Sequence, residues 1–272
     1  MLADITLGQF YPTDSFVHKM DPRVKIVLLI AFIVGIFLAK CLLALVPAIL
    51  FVVLAARMSR LPVRLLIKSL KPLRFILIFT FVLNIFFLQS PEDETLLEWW
   101  IFRFTKEGII MAVLYSLRLV ILVLGSSLLT LTTSPIALTD GLEMLMKPLK
   151  VIHFPAHEIA MMMSIALRFI PTLLEEADKI MKAQTARGAD FESGNLIKRA
   201  KAMIPLLVPL FVSAFRRAGD LAMAMEARCY HGGEGRTRLR VLKCTLRDLW
   251  GAVATAVMVA ACVLINIYLP LI

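Results

Sequence analysis

From Val24 to Ala56 the chain is apolar except for Lys25 and Lys40, and such a run has to leave water. As one helix it would be about 50 Å long at 1.5 Å per residue, against a bilayer hydrocarbon core of about 30 Å. Two shorter helices that turn near Lys40 fit that thickness better. The turn also returns Arg57, Arg60, Arg64, Lys68, Lys71 and Arg74 to the face that carries Lys19, Arg23 and Lys25, as the positive-inside rule requires. One long span would divide these charges between the two faces.

Composition points the same way. The 272 residues are 60% hydrophobic with a mean hydropathy of +0.83, against roughly 45–50% apolar residues in a soluble domain, and still carry a net charge of +10. An integral membrane protein of the cell membrane with a basic cytoplasmic part is expected. The residues before Val24 mix charged, polar and apolar side chains without the apolar core of a cleavable signal, so the first apolar run is expected to be retained. Cys41, Cys229, Cys244 and Cys262 have no CxxC or metal-ligand spacing and are expected to be reduced and unbridged.

Further along, Phe75 to Gln89 is expected to cross outward to "SPEDETLLEWWIFRFTKEG", where Glu92, Asp93, Glu94, Glu98 and Glu107 outnumber Arg103 and Lys106. Trp99 and Trp100 suit the membrane interface there. Gly108 to Leu131 crosses back. A last span runs from about Leu249 to Leu269, preceded by the basic "RTRLRVLKCTLR" and closed by Tyr268 and Pro270. The predicted fold is all-α with about five transmembrane helices, the amino terminus inside and the carboxyl terminus outside. Residues 1–131 form a membrane domain of four spans, 132–247 a cytoplasmic domain of long amphipathic coupling helices, and 248–272 the final transmembrane helix.

The cytoplasmic stretch has seven Lys and ten Arg against eleven Asp and Glu, so it holds much of the excess positive charge. "SPIALTDGLEMLMKPL" opens on Ser134 and Pro135, a helix-start signal, and reads as a short amphipathic helix. The next helix continues to "AQTARGA". In it Arg168, Glu175, Lys179, Lys182 and Ala186 mark a polar face, and Met162, Ile165, Phe169, Leu173 and Ile180 an apolar stripe. It is expected to lie along an apolar surface rather than cross. A third helix spans Asn195 to Arg228, with Pro205 and Pro209 predicted to kink it. Its apolar segment "MIPLLVPLFVSAF" is short for a crossing of about 20 residues, although a re-entrant helix fits.

Both long helices end on the same pattern. Ala186, Arg187 and Gly188 close the first, and Ala227, Arg228 and Cys229 the second. An arginine at a helix carboxyl end is favoured by the dipole, and a following glycine adopts the left-handed cap, so each alone reads as a simple cap. Two together, each led by a bare alanine that lets another surface approach, read as docking tips. The planar guanidinium suits a carboxylate or several carbonyls in a partner's cleft, with the helix lying in a groove.

What the sequence lacks narrows the partner. There is no GxxxxGK[ST], and "GGEGRT" at Gly232 to Thr237 lacks both the spacing and the lysine of a phosphate-binding loop, so the chain is not expected to hydrolyse ATP itself. His153 and His157 are four apart, but Pro155 between them argues against a shared metal-binding face. No catalytic set, metal site, cofactor or nucleic-acid partner is expected. A self-contained secondary transporter or channel would show ionisable residues in several spans and internal repeats, whereas only Arg118 lies deep in a span and no half is duplicated. Arg118 is expected to face the bundle interior or to reach Asn84 of the third span. An intramembrane enzyme would need paired catalytic side chains at membrane depth, and none is apparent.

The run from "SPIALTDGLEMLMKPL" through "IMKAQTARGADF", with "MIPLLVPLFVSAFRRAGDLAMAMEARCY", "DPRVKI" and "RLPVRLLIKSLKPL", resembles the transmembrane T component of energy-coupling factor (ECF) vitamin transporters over nearly the whole chain. The resemblance implies a membrane scaffold linking two ABC-type ATPase subunits to small vitamin-binding membrane S components. It also implies that the two Ala-Arg-Gly signatures seat the coupling helices in grooves of the ATPases. Those signatures fall on Ala186, Arg187 and Gly188 and on Ala227, Arg228 and Cys229, the last with cysteine in place of the family's glycine. Interchangeable S components, with cargo such as riboflavin, folate, thiamine or biotin, are implied for the shared subgroup. "MMMSIAL" and "MAM" offer either core packing or a pliable surface for exchanging partners.

Overall fold

The computed structural model describes residues 10–87, 95–99, 102–191, 195–232 and 242–268. Glu92, Asp93, Glu94 and Trp100 of the acidic loop, most of "GGEGRT" and Pro270 lie outside them. Helices α1 (Pro22–Leu38) and α2 (Val46–Met58) are followed by α3 (Val63–Leu70) and α4 (Arg74–Phe87). A short antiparallel hairpin, β1 (Thr95–Trp99) and β2 (Phe102–Thr105), leads into α5 (Lys106–Thr132). After it come α6 (Pro135–Met146), α7 (Ala156–Ala186), α8 (Leu196–Ala227) and α9 (Leu246–Tyr268). The fold is that of an all-α membrane protein, the only hairpin among the described residues lying between α4 and α5.

The chain divides into two compact units, Gly8–Leu142 with Leu242–Ile272, and Glu143–Val241. In the first unit α5 packs against α1, α2, α3 and α4, and α9 against α1 and α2. The core they share includes Phe32, Ile36, Ala48, Leu114, Ile121 and Cys262. Without a hydrophobic drive between helices inside lipid, close approach has to come from small side chains. Gly35 and Gly125 supply it: a Cβ on Gly35 would lie 2.8 Å from Val259 Cγ2, and one on Gly125 would run into the Phe32 ring.

The turn predicted near Lys40 is present, and neighbouring helices satisfy its backbone. Asn266 of α9 accepts from the Lys40 amide at 3.0 Å and donates to the Leu38 carbonyl at 3.1 Å. Arg118 of α5 donates to the Ala39 carbonyl and lies over the rings of Phe37 and Tyr115. Arg118 therefore caps the negative end of α1 within the bundle. It does not reach Asn84, which donates instead to the Thr80 carbonyl one turn back on its own helix.

At the opposite end of α1 the "DPRVK" run folds into a buried polar cluster. Asp21 is the N-cap, accepting from the Arg23 amide at 2.9 Å, and Pro22 fills the first helical position, where no amide is needed. Asp248 accepts from the Asp21 amide (2.8 Å) and, through its other oxygen, from the amide and hydroxyl of Thr245 (2.7 and 3.0 Å), the carboxylate half of a capping box at the start of α9. Buried Lys25 donates to the Thr132 carbonyl and the Thr133 hydroxyl at 3.0 and 3.1 Å, at the carboxyl end of α5. Lys25 thus does more than bias orientation: it ties α1 to α5.

Among the described residues, four helical stretches are long and apolar enough to cross a membrane: Gly108–Thr132, Ala156–Ala186, Lys201–Ala227 and Leu246–Tyr268. The expected spans at α5 and α9 are among them, and Leu43–Met58 is a shorter apolar helix. Helices α1 and α2, with 17 and 13 residues, are shorter, and α4 is described as far as Phe87. Both α7 and α8 qualify through their apolar segments, and α8 runs through Pro205 and Pro209 without interruption, as α7 does through Pro171.

Candidate partner-docking site

The second unit is built on α7 and α8, which pack against each other. Their contact includes a polar one: Glu176 of α7 accepts from the Ser213 hydroxyl and from Arg217 Nη2 (3.0 Å) on α8. Glu176 lies in the charged half of α7 with Glu175, Asp178, Lys179 and Lys182, a stretch that cannot sit in hydrocarbon. The Ser213 hydroxyl, and then the charge of Arg217, hold its carboxyl below the ordinary carboxylate range. Neither Glu176 nor Ser213 stands out in the sequence.

Each helix ends in the same hydrogen-bonded motif. At the end of α7 the Gly188 amide donates to the Thr185 carbonyl (2.9 Å) and the Ala189 amide to that of Gln184 (3.0 Å). At the end of α8 the Cys229 amide donates to Glu226 (2.9 Å) and the Tyr230 amide to Met225 (3.1 Å). These are Schellman closures with Gly188 and Cys229 in the left-handed position, at φ 90° and 55°. All six residues singled out from the sequence, Ala186, Arg187, Gly188, Ala227, Arg228 and Cys229, are exposed. The cysteine at the second tip takes the same backbone form as the glycine at the first.

From Glu176 to Arg187 is about 16 Å of helix, and from Ser213 and Arg217 to Arg228 about 17–22 Å, at 1.5 Å per residue. The two tips therefore lie at similar lengths along their helices from the shared polar contact. On α7 the predicted polar residues Arg168, Glu175, Lys179 and Lys182 are exposed, while Ile165, Phe169, Leu173 and Ile180 are half-buried. Met162, Met163 and Met223 are exposed and Met161 and Met225 half-buried, so none of these methionines is fully buried within this chain.

His153 and His157 are not brought together for a metal. His153 is the left-handed cap before α7, and His157 Nδ1 bonds Glu143 Oε1 at 2.9 Å. Among the described residues no group of three or more His, Cys, Asp or Glu side chains is placed to hold a metal ion.

With this geometry in place, known proteins give the chain a family. Residues 13–239 match the CbiQ family, described as cobalt transport protein. The chain belongs to the CbiQ/EcfT family. It is 51% identical over 98% of its length to the energy-coupling factor transporter transmembrane protein EcfT of Clostridium kluyveri, covering 99% of that protein. It is 57% identical to the EcfT of Acidaminococcus fermentans over 89% of each chain. The EcfT of Bacillus subtilis is 47% identical over 96% of this chain and 97% of its own. Family membership therefore covers both compact units, including both arginine helix ends. The family's description mentions cobalt and the EcfT names mention no cargo, so the cargo is not fixed by membership.

Proposed function

We propose that this EcfT-family chain is the non-catalytic coupling subunit of an ECF-type importer, transmitting ATP-driven motion of two partner ABC-type ATPases to a substrate-binding S component. The observation that carries the reading is the repeated helix end. Two exposed arginines, Arg187 and Arg228, follow small alanines and precede identical Schellman closures, at similar lengths from one α7–α8 contact. A rigid closure fixes where the guanidinium leaves the helix, which is what docking in a cleft requires.

In this reading α7 and α8 lie outside the hydrocarbon core despite their length. The charged half of α7 and the ionic contact of Glu176 with Arg217 favour a wet environment. The amino terminus and coupling helices face the cytoplasm, where soluble ATPases are found. When ATP draws the two ATPases together, the docked ends move with them, and α7 and α8 carry that motion along their apolar faces to an interchangeable S component. Vitamins are the proposed cargo class.

The test of sidedness uses a residue the protein already has. Cys229 is exposed and unpaired in a disulfide, so with Cys244 replaced by serine a membrane-impermeant maleimide labels it in inside-out vesicles and not in right-side-out ones. Labelling of Cys229 only in right-side-out vesicles would overturn the proposal.

A further inference from the structure

No carboxylate occurs between Asp21 and Glu92, yet Arg57, Arg60, Arg64, Lys68, Lys71 and Arg74 fall within that stretch. All six are exposed, and no ion pair joins any of them to a carboxylate among the described residues. Helix α3 sits at the centre of this cluster. Its helical spacing puts Arg64, Lys68 and Lys71 on one stripe (i, i+4, i+7) and Val63, Ile67 and Leu70 on the stripe beside it. Leu66, on the far side, is buried against the first unit's core. Val63 and Ile67 are 66% and 61% exposed, so the outward surface of α3 pairs an uncovered apolar stripe with an uncompensated cationic one.

We infer that α3 and its flanking turns form a binding surface for anionic phospholipids, lying in the interface plane with Val63 and Ile67 toward the acyl chains and the cations on headgroup phosphates. The inference rests on α2 and α4 entering the bilayer, not on the arginine tips. Both ends of α3 are then held at the membrane boundary, because α2 ends four residues before it and α4 begins three residues after it. A short amphipathic helix there meets headgroups before it meets any soluble molecule. Charge complementarity selects anionic lipid, and the adjacent apolar stripe suits the headgroup–acyl boundary better than the purely polar rim of a soluble partner.

The experiment reconstitutes the purified full chain in phosphatidylcholine vesicles carrying spin-labelled phosphatidylglycerol or phosphatidylcholine, and compares the motionally restricted fractions. Each basic residue near an anionic surface is worth roughly fivefold in affinity. Averaged over all lipids around the protein, a preference for phosphatidylglycerol of at least about twofold is expected. Arg64→Gln with Lys68→Gln and Lys71→Gln should bring that preference close to one, and Lys179→Gln with Lys182→Gln on α7 should leave it unchanged. Raising salt from about 0.1 M to 1 M, which shortens the screening length from roughly 10 to 3 Å, should erase the preference of the unmodified chain. No preference in the unmodified chain, or an equal fall in the α7 variant, would overturn the inference and leave an acidic protein as the occupant of this surface.

Discussion

Cys229 and Gly188 occupy the same backbone position at the two helix ends, and exchanging their residue types should have opposite effects of similar size. A side chain in the left-handed region costs roughly 1–2 kcal/mol, while glycine gives up roughly 0.5–1 kcal/mol more chain entropy on ordering. Cys229→Gly should therefore tighten its closure by a net of about 0.5–1 kcal/mol. At Gly188 nothing lies within 4 Å of an added Cβ, so Gly188→Ala meets no clash and should loosen the closure by the same conformational amount. The readout is amide hydrogen exchange at Tyr230 and Ala189, whose amides make the outer bonds of the two motifs at 3.1 and 3.0 Å. Opening free energy converts directly into exchange rate. Tyr230 should exchange about two- to fivefold more slowly in Cys229→Gly, and Ala189 faster by a like factor in Gly188→Ala. Faster exchange at Tyr230 in Cys229→Gly would show that the cysteine side chain stabilises the tip by contacts, and the reasoning from backbone strain would fail.

Gly125→Leu should separate α1 from α5, because even a Cβ there meets the Phe32 ring; overpacking of this kind costs about 1–3 kcal/mol, read as a lower melting temperature in detergent. The Glu176 contact should depend on pH with a definite sign. Its carboxyl titrates lower in the folded chain than its ordinary value of 4.5, so its contribution is complete above that value and disappears as pH falls through the lower, folded one. Glu176→Gln should accordingly be less stable than the unmodified chain at neutral pH, with the two melting curves converging in acid. A gap that persists in acid would assign the effect to packing rather than charge.

Much of the fold could be read from charge and length. The turn near Lys40 followed from a run too long for one crossing, and α6, α7 and α8 from capping residues and periodicity, because these signals are local. The helix ends were also legible: Ala-Arg-Gly predicts a left-handed closure, and Cys229 was recognisable as its strained counterpart. What escaped were pairings made across the fold. The bond from Arg118 to the Ala39 carbonyl joins residues 79 positions apart, and a backbone acceptor leaves no mark in a sequence, so the bundle interior could be expected for Arg118 but not its partner. Asp248 and Lys25 each read as an ordinary charge until the fold placed one on the Asp21 amide and the other at the end of α5. The apolar runs of α1, α2 and α4, by contrast, were legible together with the basic residues that flank them.

The most direct test of the coupling role is capture of the ATPase pair by the tagged chain from detergent-solubilised membranes, with Arg187→Ala and Arg228→Ala singly and together. Two linked contacts act with high effective concentration, so each single variant should retain part of the pair, and the double variant should lose it along with substrate uptake while remaining in the membrane. Undiminished capture and uptake in the double variant would contradict the account.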